Sequence, residues 1–510
     1  MVNEATNLES DTPEPSICYS DLFTGPQSLE QEAPSPFQID EPETDFDLIN
    51  RLPNETLCAI FDEGRRSKTA REGSWLISVS HVCRRWREVT IYSPFLWTDI
   101  YFGPRLLSPN ASKYTQACMQ RSQNCPLDVT LRFGDGAPLR DQQIMAAARL
   151  ADHLHIIIPH INRWRTLDVH VYHHKSLPQL FGLLPGRATN LKQVRIVLER
   201  HAGGNFYHEV FRDGTPMLVS VELRGISFAL CKFPLAQLTS LTLTRSDRAL
   251  SPSEFRSVLT SSLSLRDLSL YGDIASPGQE PWPLIQIPSL ISLTLSPGSD
   301  TLFAHLCTAL VVPALESLTF QHFSSESIRI FVESIRPYPT KYPRLRLLEL
   351  RSVEHQPSSA MTQIVDLLEQ SPMITELSLI SFGPWTFHPL LKLLLYKDPA
   401  TMPDTPDHDA RRDDGPGRPF DIQANADNKR PDSHVLASQS PEIAERVLLP
   451  HLHTIGITPM HEENIAEICG IISTREAGNR AISCLKASSY DGISSDRFQW
   501  LREHVRLDNR

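Results

Sequence analysis

Residues 49–64 read INRLPNETLCAIFDEG, and residues 75–102 read WLISVSHVCRRWREVTIYSPFLWTDIYF. A polar interruption separates the two pieces. Pro53 suits a first helical turn, where its missing N–H leaves no bond unmade. Leu57, Ile60 and Phe61 follow at helical spacing and share one face. In the second piece Val79, Val82, Cys83, Trp86 and Val89 fall on one helical stripe. Arg84, Arg85, Arg87 and Glu88 take the remainder of the surface. Helices this short are marginal alone, and a pair of them is too small to enclose its own apolar stripes. The stripes need a partner, either the rest of this chain or a second protein.

On the N-terminal side, residues 1–47 hold many Asp and Glu, interleaved with Pro, Ser and Thr, and no Lys or Arg. Such a segment repels itself and buries little, so it reads as a disordered acidic leader. On the C-terminal side, helix patterns at Tyr114–Cys125 and Gln142–Ile158 alternate with strand patterns at Leu127–Phe133 and Arg165–Val171.

A six-residue phrase then recurs: apolar, two residues, apolar, one residue, apolar. It reads LKQVRI at 191–196, LVSVEL at 218–223, LTSLTL at 238–243, LRDLSL at 265–270 and LISLTL at 290–295. It continues as LESLTF at 315–320, LRLLEL at 345–350, ITELSL at 374–379 and LHTIGI at 452–457. The copies are mostly about 25 to 30 residues apart, at or near the spacing of repeats that stack. The last two apolar residues of each phrase point to one side of a strand, and the residue between them points to the other. Ser251–Leu259, Ser325–Ile335 and Glu462–Ser473 supply covering helices, and Ser495–Val505 a closing one. A single repeat leaves both its faces open, whereas a stack buries them along a parallel sheet. Lys397–Pro441 interrupts the series with Asp, Pro, Arg and Asn and few large apolar residues, so it reads as a disordered insertion.

The front stretch resembles the F-box. The resemblance is carried by LPNE at 52–55, by Leu57, Ile60 and Phe61, and by VSHVCRRWR at 79–87, in that order. SPFLW at 93–97 looks like the exit of F-box proteins abundant in mushroom-forming fungi. Asp62–Ser74 departs from the pattern, being longer and more charged than the usual link. The later phrases look like an irregular leucine-rich-repeat solenoid. The expected fold is therefore α/β: a helical F-box-like domain at 48–102 after the 1–47 leader, then a leucine-rich-repeat solenoid with a parallel sheet at 103–396. A disordered insertion at 397–445 follows, and C-terminal repeats with a cap at 446–510.

The resemblance implies a substrate-recognition subunit of a Skp–cullin–F-box type ubiquitin ligase. The F-box would bind a Skp-type adaptor, and through it cullin and RING subunits, while the repeats hold an unknown target protein. Carried over by position, the adaptor contacts are Leu52, Pro53, Leu57, Ile60, Phe61, Val82, Cys83 and Trp86. On the solenoid the residue between the last two apolar positions faces outward, as at Arg195, Glu222 and Glu349, and Arg224, Tyr271 and Arg351 lie just past the phrase on the same side; these six are the candidate target contacts. Ubiquitin transfer would be done by partner subunits, so this chain is expected not to be an enzyme. Two other classes stay open: a non-ligase leucine-rich-repeat scaffold, and an enzyme with an unrecognised site.

Composition agrees with a binding role. A net charge of -11 gives no basic footprint for nucleic acid. No run of about 18 uncharged apolar residues predicts a membrane span. The first residues lack a basic start followed by an apolar core, so no secretory signal is expected. Nine cysteines without a CxxC pair fit a reduced, intracellular setting. His153, His155 and His160, and likewise His170, His173 and His174, lack Cys or carboxylate partners at metal-ligand spacing, so no metal or cofactor is expected. Cys83 reads as a packed thiol on an apolar helix face rather than a nucleophile.

Overall fold

The structure is a computed structural model. It describes residues 49, 51–66, 74–103, 111–133, 153–173 and 177–182, most of 184–381 and most of 448–509. The 1–47 leader and the 397–445 insertion lie outside the described residues. The chain divides into two compact units, Met1–Met217 and Leu218–Arg510. That boundary falls inside the 103–396 segment that the sequence reading treats as one domain.

The first unit opens with three short helices, α1 (Asn54–Arg66), α2 (Ser74–Ser80) and α3 (Arg84–Ile91), and a 3-10 turn at Pro94–Trp97. Strand β1 (Asp99–Phe102), helix α4 (Ala111–Arg121) and strand β2 (Leu127–Phe133) follow. Of the helix expected over Gln142–Ile158, the described part is helical from His153 and tightens into a 3-10 turn at Ile158–Arg163. Then come β3 (Trp164–His173), α5 (Leu177–Gly182) and β4 (Gln193–Arg200). Strands β1 to β4 pair in chain order, all parallel. Ile100, Val129, Leu167 and Val194 align across them and are buried. The alternation of apolar and polar residues sets that row, because neighbours along a strand face opposite ways.

The second unit holds β5 (Ser220–Gly225), β6 (Ser240–Ser246), β7 (Asp267–Tyr271), β8 (Ile285–Gln286) and β9 (Ser292–Ser296). It continues with β10 (Leu310–Val311), β11 (Ser317–Phe323), β12 (Leu347–Val353) and β13 (Glu376–Ile380). The last strands are β14 (Thr454–Thr458), β15 (Cys484–Ala487) and β16 (Arg506–Asn509). Its sheet runs β5-β6-β7-β9-β11-β12-β13-β14-β15-β16, while β8 and β10 form a separate parallel pair. Neighbours in the sheet are parallel and in step. Leu241, Leu268, Leu293, Leu318, Leu348, Leu377, Ile455 and Leu485 make one buried row.

The first residue of the phrase has its own task. Leu265, Leu290, Leu315, Leu345, Ile374 and Leu452 are buried, and each donates its N–H to the carbonyl three residues back, at 3.1–3.3 Å. The next N–H reaches the previous copy: Arg266 to Thr239, Ile291 to Arg266, Glu316 to Ile291, Arg346 to Glu316 and Thr375 to Arg346, at 2.8–2.9 Å. Each phrase thus begins with a tight turn that hands the chain onto the growing sheet. Copies stay in register because the same bond recurs at every step.

Between strands lie α6 (Pro252–Ser261), α7 (Asp300–Ala309), α8 (Ser325–Ile335), α9 (Pro357–Glu369), α10 (Glu462–Ala477) and α11 (Ser495–His504). Ser251 and Glu254 form a capping box at the start of α6, with Pro252 in its first turn. Helices α7 and α8 both pack on β11, where the Phe320 ring lies 6.4 Å from Phe303 and 5.0 Å from Phe331. The closing helix expected over Ser495–Val505 is followed by a strand the sequence reading did not include, β16, which pairs parallel to β15. Among the described residues no helix is long and apolar enough to cross a membrane.

Candidate functional site

The site is built on α1, α2 and α3. The N–H of Leu57 donates to the Pro53 carbonyl at 3.1 Å, so Pro53 opens the first turn of α1. Along α1, Leu57 and Phe61 turn inward, each 1% exposed, while Ile60 is 46% exposed. The Phe61 ring meets Trp86 of α3 at 5.0 Å and 58°. Its carbonyl accepts the indole N–H of Trp75 of α2 at 3.3 Å. Leu57 and Phe61 thus hold the domain's own helices, and the docking face expected from sequence must be corrected. Neither is open to a partner, because each occupies the interior of the unit.

Gly64 explains how Trp75 comes so close. A Cβ at that position would lie 2.4 Å from the Trp75 ring, so only glycine leaves room for it. Arg65 and Arg66 pair with Asp62 at 2.6 and 2.5 Å, and Arg65 also reaches Asp99 of β1 at 3.3 Å.

The single stripe expected over Val79–Val89 is broken. Helix α2 stops at Ser80 and α3 starts at Arg84. Cys83 is extended (φ -154°, ψ 171°), and its Sγ caps α3 by accepting the Trp86 N–H at 3.4 Å. A side chain able to accept a bond at the cap position stops one helix and starts the next. Cys83 is therefore exposed and not packed on a helix face, which corrects the second expectation. The break buries Val79 and Val89 and turns Val82 outward, to 54% exposure. Of the expected adaptor contacts, Pro53, Ile60, Val82 and Cys83 are exposed, and Leu52 and Trp86 half-buried.

The three helices are fixed to the first unit through Trp97, whose indole N–H donates to Thr90 O at 2.8 Å. The Arg121 guanidinium lies 4.4 Å over the Trp97 ring, and Tyr114 of α4 is 6.4 Å away. Burial pushes the neighbouring Cys118 thiol up to about 12, so it stays protonated and acts as an apolar filler.

The outward sheet positions behave differently in each unit. In the first, Arg195 is aligned with Asp168, and Tyr101 and Thr130 continue the row. His170 Nε2 lies 3.3 Å from Asp168 and 3.2 Å from Arg195, and Arg195 lies 3.6 Å from Asp168. Burial raises the Asp168 pKa, but the His170 bond and the Arg195 and Arg132 charges outweigh it and hold the carboxyl below its usual range.

In the second unit Glu222, Thr242, Ser269, Thr294, Thr319, Glu349 and Ser378 make one aligned row. Glu222 and Tyr271 are half-buried, and Arg224 and Arg351 exposed. Glu349 is 5% exposed and bonded to Arg351, so it is not a free target contact. Strand parity gave it the right side of the sheet but not its cover. Gly456 of β14 sits beside Ser378, whose Oγ would be 2.3 Å from an added Cβ. Lys486 of β15 pairs with Glu376 of β13 at 2.7 Å, reaching past the β14 backbone. Among the described residues no group of three or more His, Cys, Asp or Glu is placed to hold a metal.

The three-helix front is the part that known families explain. The F-box-like family matches residues 49–103. The chain therefore carries an F-box-like domain at its first described helices, and F-box domains generally bind Skp-type adaptors. No curated protein matches the chain.

Proposed function

We propose that this chain is the substrate-recognition subunit of a Skp–cullin–F-box type ubiquitin ligase. The observation that supports this most is the pair Ile60 and Val82, large apolar side chains left 46% and 54% exposed within the F-box-like domain. Covering the exposed half of each would contribute roughly 1 kcal/mol. Pro53 and the half-buried Leu52 and Trp86 complete the face, and Trp86 is its aromatic anchor. The adaptor joins the chain to cullin and RING subunits, which carry the transfer chemistry, so this chain is not itself an enzyme.

The later phrases act as a leucine-rich-repeat solenoid that presents a target-binding surface. The in-step parallel strands and the recurring turn at each phrase support that reading. The target contacts of the second unit are Glu222, Arg224, Tyr271 and Arg351, while Arg195 is tied into the first unit's network with Asp168 and His170.

Affinity purification of the tagged chain tests the reading. Adaptor and cullin are expected in the eluate, and both disappear with Leu52→Ala and Pro53→Ala combined. Correct folding without adaptor would contradict it and leave a non-ligase scaffold.

A further inference from the structure

Helix α3 begins RRWR, and its three arginines have different tasks. Arg84 reaches Glu88 on its own helix at 3.1 Å. Arg87 Nε donates to the Ser80 carbonyl at 3.0 Å, closing the break between α2 and α3. Arg85 reaches back to the turn before α1. Its Nε and Nη2 donate to Asn54 Oδ1 at 3.1 and 2.9 Å, and Nη2 also donates to the Leu52 carbonyl.

Both acceptors belong to the Leu52–Asn54 turn. In the same turn Leu52 N–H bonds Ile49 O at 3.2 Å, Pro53 O accepts the Leu57 N–H at 3.1 Å, and Pro53 has no N–H to donate. The acceptors of the guanidinium are on Leu52 and Asn54, on either side of Pro53, while Cys83 and Trp86 lie within two residues of Arg85 in sequence. The planar fork can bridge two acceptors at once, which the point charge of a lysine does less well.

We infer that Arg85 is a positioning residue for the docking face. It clamps the Leu52–Pro53 turn to the start of α3, so the two halves of the F-box-like motif meet a partner in one fixed relation. This rests on the adaptor-binding reading above. A turn held in its bound arrangement loses less freedom on association, so the clamp raises affinity without Arg85 itself being an apolar contact.

The test compares the full chain with Arg85→Ala, Arg85→Lys and Asn54→Ala. It measures affinity for a purified Skp-type adaptor, melting temperature, and amide exchange at Leu52 and residues 54–57. Arg85→Ala is expected to weaken binding about tenfold. It should also speed exchange at those amides while the melting temperature stays near wild type. Lysine should recover only part of the loss. Asn54→Ala should add little to Arg85→Ala, since the two share a bond, whereas Ile60→Ala should add in full.

Unchanged affinity in Arg85→Ala overturns the inference, as does full additivity with Asn54→Ala. If Arg85→Ala unfolds the unit, Arg85→Lys decides: weaker binding at unchanged melting temperature supports the clamp, and equal binding overturns it. If the wild-type chain binds no adaptor, the functional reading falls and exchange alone judges the clamp. Faster exchange then supports it, and unchanged exchange overturns it.

Discussion

Asp168 shows how much a single outward position on a sheet can organise. It lies within 3.3 Å of His170 and 3.6 Å of Arg195, and the bond from His170 together with the nearby arginine charges outweighs burial and holds its pKa below the ordinary carboxylate range. A carboxyl depressed in the folded state adds stability above its unfolded pKa. That contribution is lost as pH falls from the ordinary carboxylate range through the lower folded value. Asp168→Asn should therefore destabilise the chain at neutral pH, and its melting temperature should fall less on acidification than that of wild type. Parallel acid limbs in thermal unfolding from pH 7 to pH 3 would contradict this. Strand alternation showed that Arg195 faces outward. It did not show the partners, because Asp168 and His170 come from a strand whose pairing only the fold defines. Leu57, Ile60 and Phe61 make the same point. Periodicity places all three on one face, but that face is wide enough for Leu57 and Phe61 to be covered while Ile60 stays open.

At the scale of the repeat, one backbone feature recurs that side-chain pattern did not reveal. Two residues after the last apolar position of five phrases the chain turns left-handed: Gly225, Gly272, His322, Ser352 and Ser381, with φ from 48° to 74°. At Gly225, Gly272 and Ser381 this turn closes the strand, and at His322 and Ser352 it lies one residue before the strand's end, between the Gln321–Arg351 and Phe323–Val353 pairs. Glycine takes the conformation freely, whereas other L-residues there carry a cost of about 1–2 kcal/mol. His322→Gly should raise the melting temperature, gaining up to about 1 kcal/mol, because its ring is exposed and would give up a surface contact with Gln321 at 3.3 Å. Gly272→Ala should do the opposite, since its Cβ would also press on Arg245 at 3.1 Å. Shifts of the same sign in both variants would refute a shared turn. The strands themselves were legible because buried Leu at alternate positions is a strong signal. The break at Cys83 was not, since the apolar spacing runs across it and cysteine is an uncommon cap.

For the whole molecule, the F-box-like front and the array of parallel strands differ in how they cover their apolar side chains. The array explains itself: its leucines are enclosed by neighbouring copies, and the last described strand is reached through helix α11. The front does not, because Ile60 and Val82 remain open in a domain that spends Leu57 and Phe61 on its own interior. Calorimetric titration of a purified Skp-type adaptor into the wild-type chain and into an Ile60→Asp, Val82→Asp double variant tests this most directly. One adaptor should bind per wild-type chain, and the double variant should bind at least about a hundredfold more weakly at an unchanged melting temperature. Equal binding by both chains would contradict the account.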